Sequence, residues 1–249
     1  MIKLKSPREL RLMREAGRIA GRALLAGGKA VKPGVSTADI NAVIHEELLR
    51  GGALPSFLGY NGFPASACIS VNKEVIHGIP SRSVIINEGD LVSIDVGAFK
   101  DGYHGDCACT FAAGTPSPKA KLLMDVTRQS FFEGIRQARE GKHVSDIGAA
   151  VQEYVERHGF SVVRQFVGHG LGQSLHEEPD VPNYAFGGAG ARLVRGMTIA
   201  VEPMVNEGGY EVDILEDGWT VVTADGSLSA HFEHSVAITD GEPVILTLP

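Results

Sequence analysis

The chain has 249 residues, of which 43% are hydrophobic and 21% charged, and its formal net charge is −7. This length suffices for a sizeable core, and the acidic balance argues against non-specific nucleic-acid binding as the main role. No apolar run is long enough to span a bilayer, and the N-terminal stretch lacks the apolar segment of a signal peptide. Three cysteines without a CxxC motif indicate a reducing compartment.

Two helices are predicted in the first fifth of the chain. Ser6 and Glu9 form a capping-box pattern, and apolar residues at helical spacing follow until Gly27-Gly28, where we expect the first helix to end. A second helix is expected from Ser36 to Gly51-Gly52. Alternating and continuous apolar runs then predict strands at 67–76, 84–96 and 106–112.

The remainder of the chain predicts two more helices and then mainly strands. Pro116-Ser117-Pro118 opens a helix to about Gly141, and another runs from about Ser145 to His158. No low-complexity linker interrupts the sequence, so we expect one domain over residues 1–249. The later strands are predicted at 160–167, 197–205, 210–216, 219–224, 231–238 and 243–248.

An internal repeat relates the two parts of the chain. Residues 34–52 and 141–159 share seven of nineteen positions at a constant offset of 107. We therefore predict two similar α+β halves, roughly 10–112 and 118–240, which face each other across a pseudo-two-fold axis with the site between them.

The repeat also pairs residues that carry chemistry. The offset of 107 aligns Asp95 with Glu202, and each acid lies inside an apolar run. His77 aligns with His176 at an offset of 99, with the gap closed afterwards. A helix, a histidine segment and a strand with a carboxylate thus recur in the same order, which favours a shared site over isolated coincidences.

Four carboxylates in strand-like surroundings predict a metal site. Besides Asp95 and Glu202, Asp106 and Glu233 interrupt apolar runs, where unpaired acids would repel one another and have raised pKa values. Two divalent cations would balance four negative charges, and His169 between two glycines would complete the ligand set. Oxygen ligands with one imidazole suit Mn, Fe, Co or Zn.

Two bridged metals generate hydroxide at neutral pH and polarise the oxygen of the bond to be cut. His77 and His176 are not needed as ligands and could donate hydrogen bonds to the developing tetrahedral intermediate. Taken singly, an aspartate at a strand end is usually a turn or edge residue, and a histidine is usually an ordinary core or surface group. That ordinary interpretation is kept for His45, His104, His143 and His158, with a supporting role left open for His231 and His234.

Six motifs are spread along nearly the whole chain: VKPGVSTADI (31–40), CISVNKEVIHGIP (68–80), DVGAFKDGYHGD (95–106), GHGLGQSLHEEP (168–179), TIAVEPM (198–204) and EHSVAIT (233–239). Together they resemble the motifs of the type I methionine aminopeptidases. The resemblance implies a "pita-bread" α+β fold of two related halves, with an antiparallel sheet and flanking helices. It also implies five metal ligands, with Asp106 and Glu233 as the bridging acids: Asp95, Asp106, His169, Glu202 and Glu233.

The resemblance further implies removal of the N-terminal methionine from nascent proteins and peptides with a small second residue. A hydroxide activated by two metals would attack the scissile carbonyl, with Glu202 as the proton shuttle. His176 would stabilise the oxyanion or hold the scissile amide, and His77 would hold the next peptide nitrogen. We expect cytoplasmic action on nascent N-termini, at the ribosome or free, by a monomer without direct nucleic-acid recognition or membrane association.

A methionine pocket is implied by FLGYNGFP (57–64) and nearby residues. Apolar and soft side chains suit a thioether, although Tyr60 and Cys68 could equally be core residues. Phe57, often Cys in the family, and Leu175, often Phe, depart from the common pattern and alter the pocket size. The implied pocket residues are Tyr60, Phe63, Cys68 and Trp219.

A monovalent-cation site is a further expectation from the resemblance. The segment VNKEVIHG resembles one beside such a site, where Asn72 and Ser229 could supply carbonyl oxygens.

Two alternatives remain from the sequence. An Xaa-Pro peptidase uses the same five ligand types, but it usually carries a sizeable additional N-terminal domain, for which residues 1–30 leave no room. The type II methionine enzymes carry an inserted helical region that the spacing here does not accommodate. A binding module that lost the chemistry would have lost at least one ligand, and all five are present.

Overall fold

Four helices pack against a large antiparallel sheet in the computed structural model, which describes residues 1–249. None of the four helices combines the length and the hydrophobicity that a membrane span would need. Three of them begin at serine N-caps, as the sequence predicted for the first two. The helices are α1 (Pro7–Ala30), α2 (Thr37–Arg50), α3 (Pro118–Ile135) and α4 (Val144–Arg157).

The strands form an eleven-stranded sheet and a separate three-stranded sheet. The main path of the larger sheet runs β1-β4-β5-β13-β9-β7-β8, and the smaller sheet runs β11-β12-β3. The strands are β1 (Leu54–Pro55), β2 (Cys68–Val71), β3 (Glu74–Ile76), β4 (Leu91–Lys100), β5 (Tyr103–Ala112), β6 (Ser161–Val162), β7 (Gly168–Gly170), β8 (Glu177–Val181), β9 (Thr198–Val201), β10 (Met204–Asn206), β11 (Val212–Ile214), β12 (Val221–Thr223), β13 (Ser229–Ala237) and β14 (Val244–Ile245).

The two halves share backbone geometry at the offset seen in the sequence. Helices α2 and α4 begin and end 107 residues apart. Two isolated bridges, Ser36 with Ile85 and His143 with Arg192, are related by the same offset. Gly34 and the residue 107 positions later, Gly141, have φ values of 88° and 89°. The two halves are therefore equivalent in backbone structure as well as similar in sequence.

The ends of two helices differ from the prediction. Helix α1 continues through Gly27-Gly28 to Ala30, because these glycines serve close packing: a Cβ at Gly27 would lie 2.7 Å from the Ile44 side chain and one at Gly28 2.3 Å from the ring of Phe111. Helix α3 ends at Ile135, six residues before the predicted end at Gly141.

Three strands, β1, β7 and β8, escaped the sequence prediction, and several others are shorter than predicted. Strand β4 begins at Leu91 rather than at 84, since the preceding residues form only the isolated bridge at Ile85. Strand β7 is Gly-His-Gly and strand β8 is Glu-Glu-Pro-Asp-Val, compositions that are depleted in strands generally. Pairing with neighbouring strands outweighs their low intrinsic preference.

Alternation along β4 separates the core from the site. Val92, Ile94 and Val96 pack in the core cluster that includes buried residues of α1 and α2. Successive side chains of a strand point to opposite faces, so Asp95 points away from the helices. The same alternation in β5 places Cys107 in that core and Asp106 on the other face. The acids that interrupt the apolar runs therefore lie on the inner face of the sheet, and helices cover its outer face.

Gly105 provides a test of this close packing. A Cβ on Gly105 of β5 would lie 2.4 Å from Cα of Gly17 in α1, which is backbone and cannot rotate away. We expect Gly105→Ala to lower the free energy of unfolding by about 1–3 kcal/mol, measured by chemical denaturation. Gly187→Ala is the control, because nothing lies within 4 Å of its Cβ position. Equal stability of the two variants would contradict the packing described.

Candidate metal centre

All the site residues predicted from the sequence line one cavity of about 240 Å³. The same cavity is lined by Phe57 and Leu175, the two positions that depart from the family pattern. It brings together residues from both halves of the chain: Asp95, Asp106, His169, Glu202, Glu233, His77, His176, Tyr60, Phe63, Cys68 and Trp219.

Sheet register places two of the acids in one row. Asp95 of β4 lies opposite Ala108 of β5, and Ala108 lies opposite Glu233 of β13. The small Ala108 side chain leaves space between the two carboxylates. Asp106 lies two residues earlier on β5, on the same face, and Glu202 directly follows β9. Rigid neighbouring strands therefore hold all four acids.

The ligand atoms converge on a small volume. One ligand atom from each of Asp106, His169 and Glu233 lies within 4.8 Å of the other two. His169 Nε2 is 3.9 Å from Asp106 Oδ2 and 3.7 Å from Glu202 Oε1. The carboxyl groups of Asp95 and Asp106 are close enough that the charge of Asp95 contributes to a raised pKa at Asp106. All five residues thus face the same space.

The tautomer of His169 suits metal ligation. Its Nδ1 lies 2.8 Å from the carbonyl oxygen of Gly170, which can only accept, so Nδ1 donates the hydrogen bond. The Nε2 lone pair is then free and faces the carboxylates. Burial first, and the nearby His176 next, lower the pKa of His169 to about 3, which keeps the ring neutral.

The carboxylates require a cation. Asp95 Oδ1, Asp106 Oδ1 and Glu233 Oε1 are buried without a hydrogen-bond partner. Burial raises the pKa of Asp95 to about 7, and burial together with neighbouring carboxylates raises the pKa of Asp106 and Glu233 well above the usual range. No lysine or arginine lines the cavity. The orphaned oxygens, together with one neutral imidazole, fit divalent metal ions of the Mn, Fe, Co and Zn type.

The two repeat-related histidines flank the carboxylates in different ways. His176 Nδ1 lies 2.7 Å from the Tyr60 hydroxyl, and the His176 ring is 4.1 Å from the ring of His169. His77 meets the edges of Phe166 and Trp219, with ring centroids 5.8 and 6.2 Å away. Its φ of 60° is rare for a residue other than glycine and is an observed strain beside the site.

An apolar wall forms the side of the cavity next to the carboxylates. Phe57, Phe63, Cys68 and Leu175 pack as one buried cluster, which Trp219 contacts. Burial, and then the neighbouring carboxylates, raise the pKa of Cys68 well above its usual value, so its thiol is neutral. Cys68 is therefore both a core residue and a cavity residue, and so is Phe63, which is 3% exposed.

Four lining residues were not predicted from the sequence. Isolated apolar residues carry no chemical signal, whether at the end of β3 (Ile76) or in a loop (Phe166 and Val167), and Asn61 belongs to a short turn in which it adopts a φ of 49°. These residues are Asn61, Ile76, Phe166 and Val167.

The other histidines and the predicted cation ligands are also placed by the structure. His231, for which a supporting role was left open, is buried, and its unpartnered Nε2 lies 4.0 Å from Glu202 Oε2. His234 instead pairs with the hydroxyl of Thr247. The carbonyl oxygen of Asn72 accepts the N–H of Ser229 at 2.9 Å. His45 and His104 bind the hydroxyls of Ser66 and Ser56, outside the cavity lining.

A buried ion pair fixes the loop that carries His176. Lys5 Nζ lies 2.6 Å from Glu177 Oε2, and the two side chains are 5% and 6% exposed. The other Glu177 oxygen accepts the N–H of Ser174, and the Lys5 N–H donates to the carbonyl of Gly196. Burial alone would raise the pKa of Glu177, but the hydrogen bonds from Lys5 and Ser174 outweigh it and lower the pKa. Sequence patterns gave no sign of this pair, which is 172 residues apart.

Comparison with known proteins finds the same fold and similar sequences along the whole chain. The model of metallopeptidase family M24 matches residues 11–240. A methionine aminopeptidase of Clostridium acetobutylicum is 51% identical over 248 residues, covering 100% of this chain and 99% of that protein. The solved methionine aminopeptidase of Thermotoga maritima superposes with a TM-score of 0.98 at 42% identity, with both chains fully covered. The predicted pita-bread α+β fold class is thereby confirmed.

A more distant solved structure bears on the alternative peptidase. The prolidase of Pyrococcus furiosus has a TM-score of 0.80 at 22% identity, and this chain covers 65% of its length. At that identity the similarity shows a common fold alone.

Lys5→Met should destabilise the protein, because it leaves Glu177 charged and buried without its partner. We expect the free energy of unfolding to fall by about 3–5 kcal/mol at neutral pH. Lys3→Met is the matched control: Lys3 Nζ is 3.9 Å from the same carboxylate but 59% exposed, so at most about 1 kcal/mol is expected. Denaturant midpoints measure both, and similar losses in the two variants would contradict the importance of burial.

The same measurement across pH tests the charge of Glu177. Because the folded-state pKa is lowered, its stabilising contribution is complete above the ordinary glutamate pKa and is lost as the pH falls through the folded value. The stability difference between wild type and Lys5→Met should therefore shrink as the pH falls below about 4.5, the ordinary value from which the folded-state pKa is lowered. A difference that stays constant over this range would contradict an ionised Glu177.

Asp106→Asn and His169→Ala should each weaken binding of divalent metal by at least about 100-fold while leaving the circular-dichroism spectrum intact. Each removes a ligand from the central group of three. Metal content after dialysis, measured by mass spectrometry, is the readout. His45→Ala is the control, since His45 lies outside the cavity, and unchanged metal content in the Asp106 variant would refute the site.

Proposed function

This chain belongs to metallopeptidase family M24 and, within it, to the methionine aminopeptidases, and we infer that it is a hydrolase that removes the N-terminal methionine from proteins and peptides. The observation that carries this conclusion is the convergence of four buried carboxylates and one neutral imidazole beside an apolar wall. Carboxylates without any lysine or arginine among them call for metal ions, and the apolar wall suits a methionine side chain.

We propose that the chain holds two divalent metal ions, of Co, Mn, Fe or Zn, through the five residues that face one another. When bound, such ions generate hydroxide at neutral pH and polarise the carbonyl oxygen of the scissile bond. Asp106, His169 and Glu233 would hold the ions together, since one ligand atom of each lies within 4.8 Å of the other two, and Asp106 and Glu233 would be the shared acids that the family resemblance implies. The complete set is Asp95, Asp106, His169, Glu202 and Glu233.

The proposed catalytic groups of the chain move one proton and hold the peptide. Glu202 is assigned as the proton shuttle: burial and the neighbouring Asp95 raise its pKa, so its carboxyl can take a proton from the attacking water and deliver it to the leaving nitrogen. The Tyr60 hydroxyl lies 2.7 Å from Nδ1 of His176. In the proposed tautomer the hydroxyl donates to Nδ1, which leaves Nε2–H of His176 to donate to the carbonyl oxygen. His77 is assigned to the next peptide nitrogen.

The side chain of the first residue is assigned to the apolar wall. Phe63 and Trp219 meet edge to face with ring centroids 5.1 Å apart, and Tyr60 and Cys68 complete the lining. A small second residue is expected, because the carboxylates leave little room beside the reacting carbonyl. The substrates proposed are therefore nascent polypeptides and peptides that begin with methionine followed by a small residue.

The setting of this activity is proposed on the same basis. We assign residues 1–249 to a single catalytic domain, acting as a monomer in the cytoplasm on nascent N-termini, at the ribosome or free. A monovalent cation is proposed at the carbonyl oxygens of Asn72 and Ser229, whose main chains are already in hydrogen-bonding contact.

Substrate preference and metal dependence test the proposal together. After removal of metal, single additions of Mn, Fe, Co or Zn should restore cleavage of Met-Ala-Ser, with kcat/KM at least about 100-fold above that for Met-Leu-Ser. Ala-Pro peptides should not be cleaved. A preference for Ala-Pro would favour an Xaa-Pro peptidase, no turnover with any metal would favour a binding module, and full activity of metal-depleted Asp106→Asn would overturn the mechanism.

A further inference from the structure

Positive charge is concentrated at the start of this acidic chain. Residues 1–32 contain nine lysines and arginines and two glutamates, a formal net charge of +7. Residues 33–249 contain fourteen lysines and arginines and twenty-eight acids, a net charge of −14. The expectation of no nucleic-acid recognition rested on the net charge of the whole chain, which conceals this separation.

The charges form a single stripe on α1. Six basic residues recur at spacings of three, three, four, four and seven, which places them within about a third of the helix circumference at 100° per residue. From the first to the last, the stripe is about 32 Å long at 1.5 Å per residue. All six are exposed, and Lys32 extends the stripe just beyond the helix: Arg8, Arg11, Arg14, Arg18, Arg22 and Lys29.

No acid on the protein neutralises the stripe. None of its seven side chains forms a salt bridge. The carboxylate of Glu9 accepts hydrogen bonds from the hydroxyls of Ser6 and Tyr103. Glu15 lies within the stripe but pairs with none of the arginines. The C-terminal Pro249 packs beside Gly21 and likewise forms no ion pair with the stripe.

The corresponding helix of the second half behaves as an ordinary solvated surface. On α3 the exposed charges are mixed in sign and largely paired: Lys121 with Asp125, and Arg136 with Glu133. A solvated helix face normally resembles α3, with opposite charges at neighbouring turns. The face of α1 carries six basic residues without ion pairs and one acid, Glu15, and a partner of opposite charge would explain this excess.

The geometry points to the phosphate backbone of structured RNA as that partner, and we propose that the outer face of α1 is an RNA-binding surface. Five of the seven cations are arginines, whose planar groups bind phosphate through two parallel hydrogen bonds. Insertion into a membrane would require a free apolar face, whereas Met13, Ile19 and Leu24 of α1 are buried in the protein. The choice of RNA rests on the proposed function, because nascent chains are made on an RNA-rich particle.

The stripe lies across the sheet from the catalytic cavity. Helix α1 covers the face of β4 and β5 that carries Val92 and Ile94, and Asp95 and Asp106 occupy the opposite face. An RNA bound along α1 therefore leaves the cavity open to a peptide. The stripe can also be altered without touching the catalytic residues.

The test is binding of a labelled RNA duplex to the metal-loaded protein over about 50–200 mM salt. The variant Arg11→Gln/Arg14→Gln/Arg18→Gln/Arg22→Gln should bind at least about ten-fold more weakly, and its slope of log affinity against log salt should be smaller by about 3–4. Glutamine retains good helix propensity, so α1 should stay folded. Turnover of Met-Ala-Ser should remain as in wild type, which separates this proposal from the peptidase assignment.

The matched control removes the same number of charges from α3, in Lys119→Gln/Lys121→Gln/Arg128→Gln/Arg136→Gln. It should bind RNA like the wild type. An equal loss of RNA affinity in both variants would show that net charge alone explains the effect, and it would overturn the proposal. Absence of RNA binding by the wild type at about 150 mM salt would overturn it as well. Tighter binding to a DNA duplex of the same sequence, or to phosphatidylserine vesicles, would overturn the assignment to RNA.

Discussion

The structure depends on the burial of several carboxylates in one cavity that no lysine or arginine lines. Burial raises the pKa of Asp95 to about 7, and burial with neighbouring carboxylates raises those of Asp106, Glu202 and Glu233 well above their ordinary values. The folded protein without cations therefore tends to take up protons there. A group whose pKa is raised in the folded state destabilises the fold as the pH rises through that pKa. Cations that bind the folded form reverse this effect, so metal affinity and stability are linked. The rigid sheet is what keeps the acids together against their repulsion.

The internal repeat explains the positions of two of the four acids, and an insertion that interrupts the repeat explains the positions of the other two. Asp95 and Glu202 are related by the constant offset, but Asp106 and Glu233 are not. In the first half a two-residue turn joins β4 to β5, whereas in the second half β11 and β12 intervene between β10 and β13. That insertion displaces Glu233 in sequence but not in space, since β13 pairs directly with β5. The inserted hairpin adds Trp219 to the cavity wall and pairs with β3, immediately before His77. The insertion thus adds a small separate sheet beside the place where the substrate side chain is proposed to bind.

Sequence reasoning reached residues whose chemistry conflicts with their local pattern. Acids inside apolar strands and histidines repeated at equivalent places are visible without a structure, and all of them line one cavity. Residues that act through distant partners were not visible: Lys5 and Glu177 look like ordinary surface charges until the fold buries them together. Gly28 was misread as a helix end, because a glycine needed for close packing looks the same as one needed for a turn. Strand β7 was missed because its two glycines and one histidine take their conformation from the neighbouring strands.

The alternation of side chains along β4 and β5, which points the acids inward, also determines which face of α1 stays exposed to solvent. Val92 and Ile94 must be covered, and α1 and α2 cover them, which commits the apolar face of α1 to the core. Only the outer face of α1 is then free of structural demands, and close packing at Gly17 and Gly105 holds it in a fixed orientation. An ordered and predominantly basic helix face is a better match for a phosphate backbone than a flexible tail, because less conformational entropy is lost on binding. The buried carboxylates and the exposed arginines are therefore two consequences of one sheet with a polar inner face and an apolar outer face.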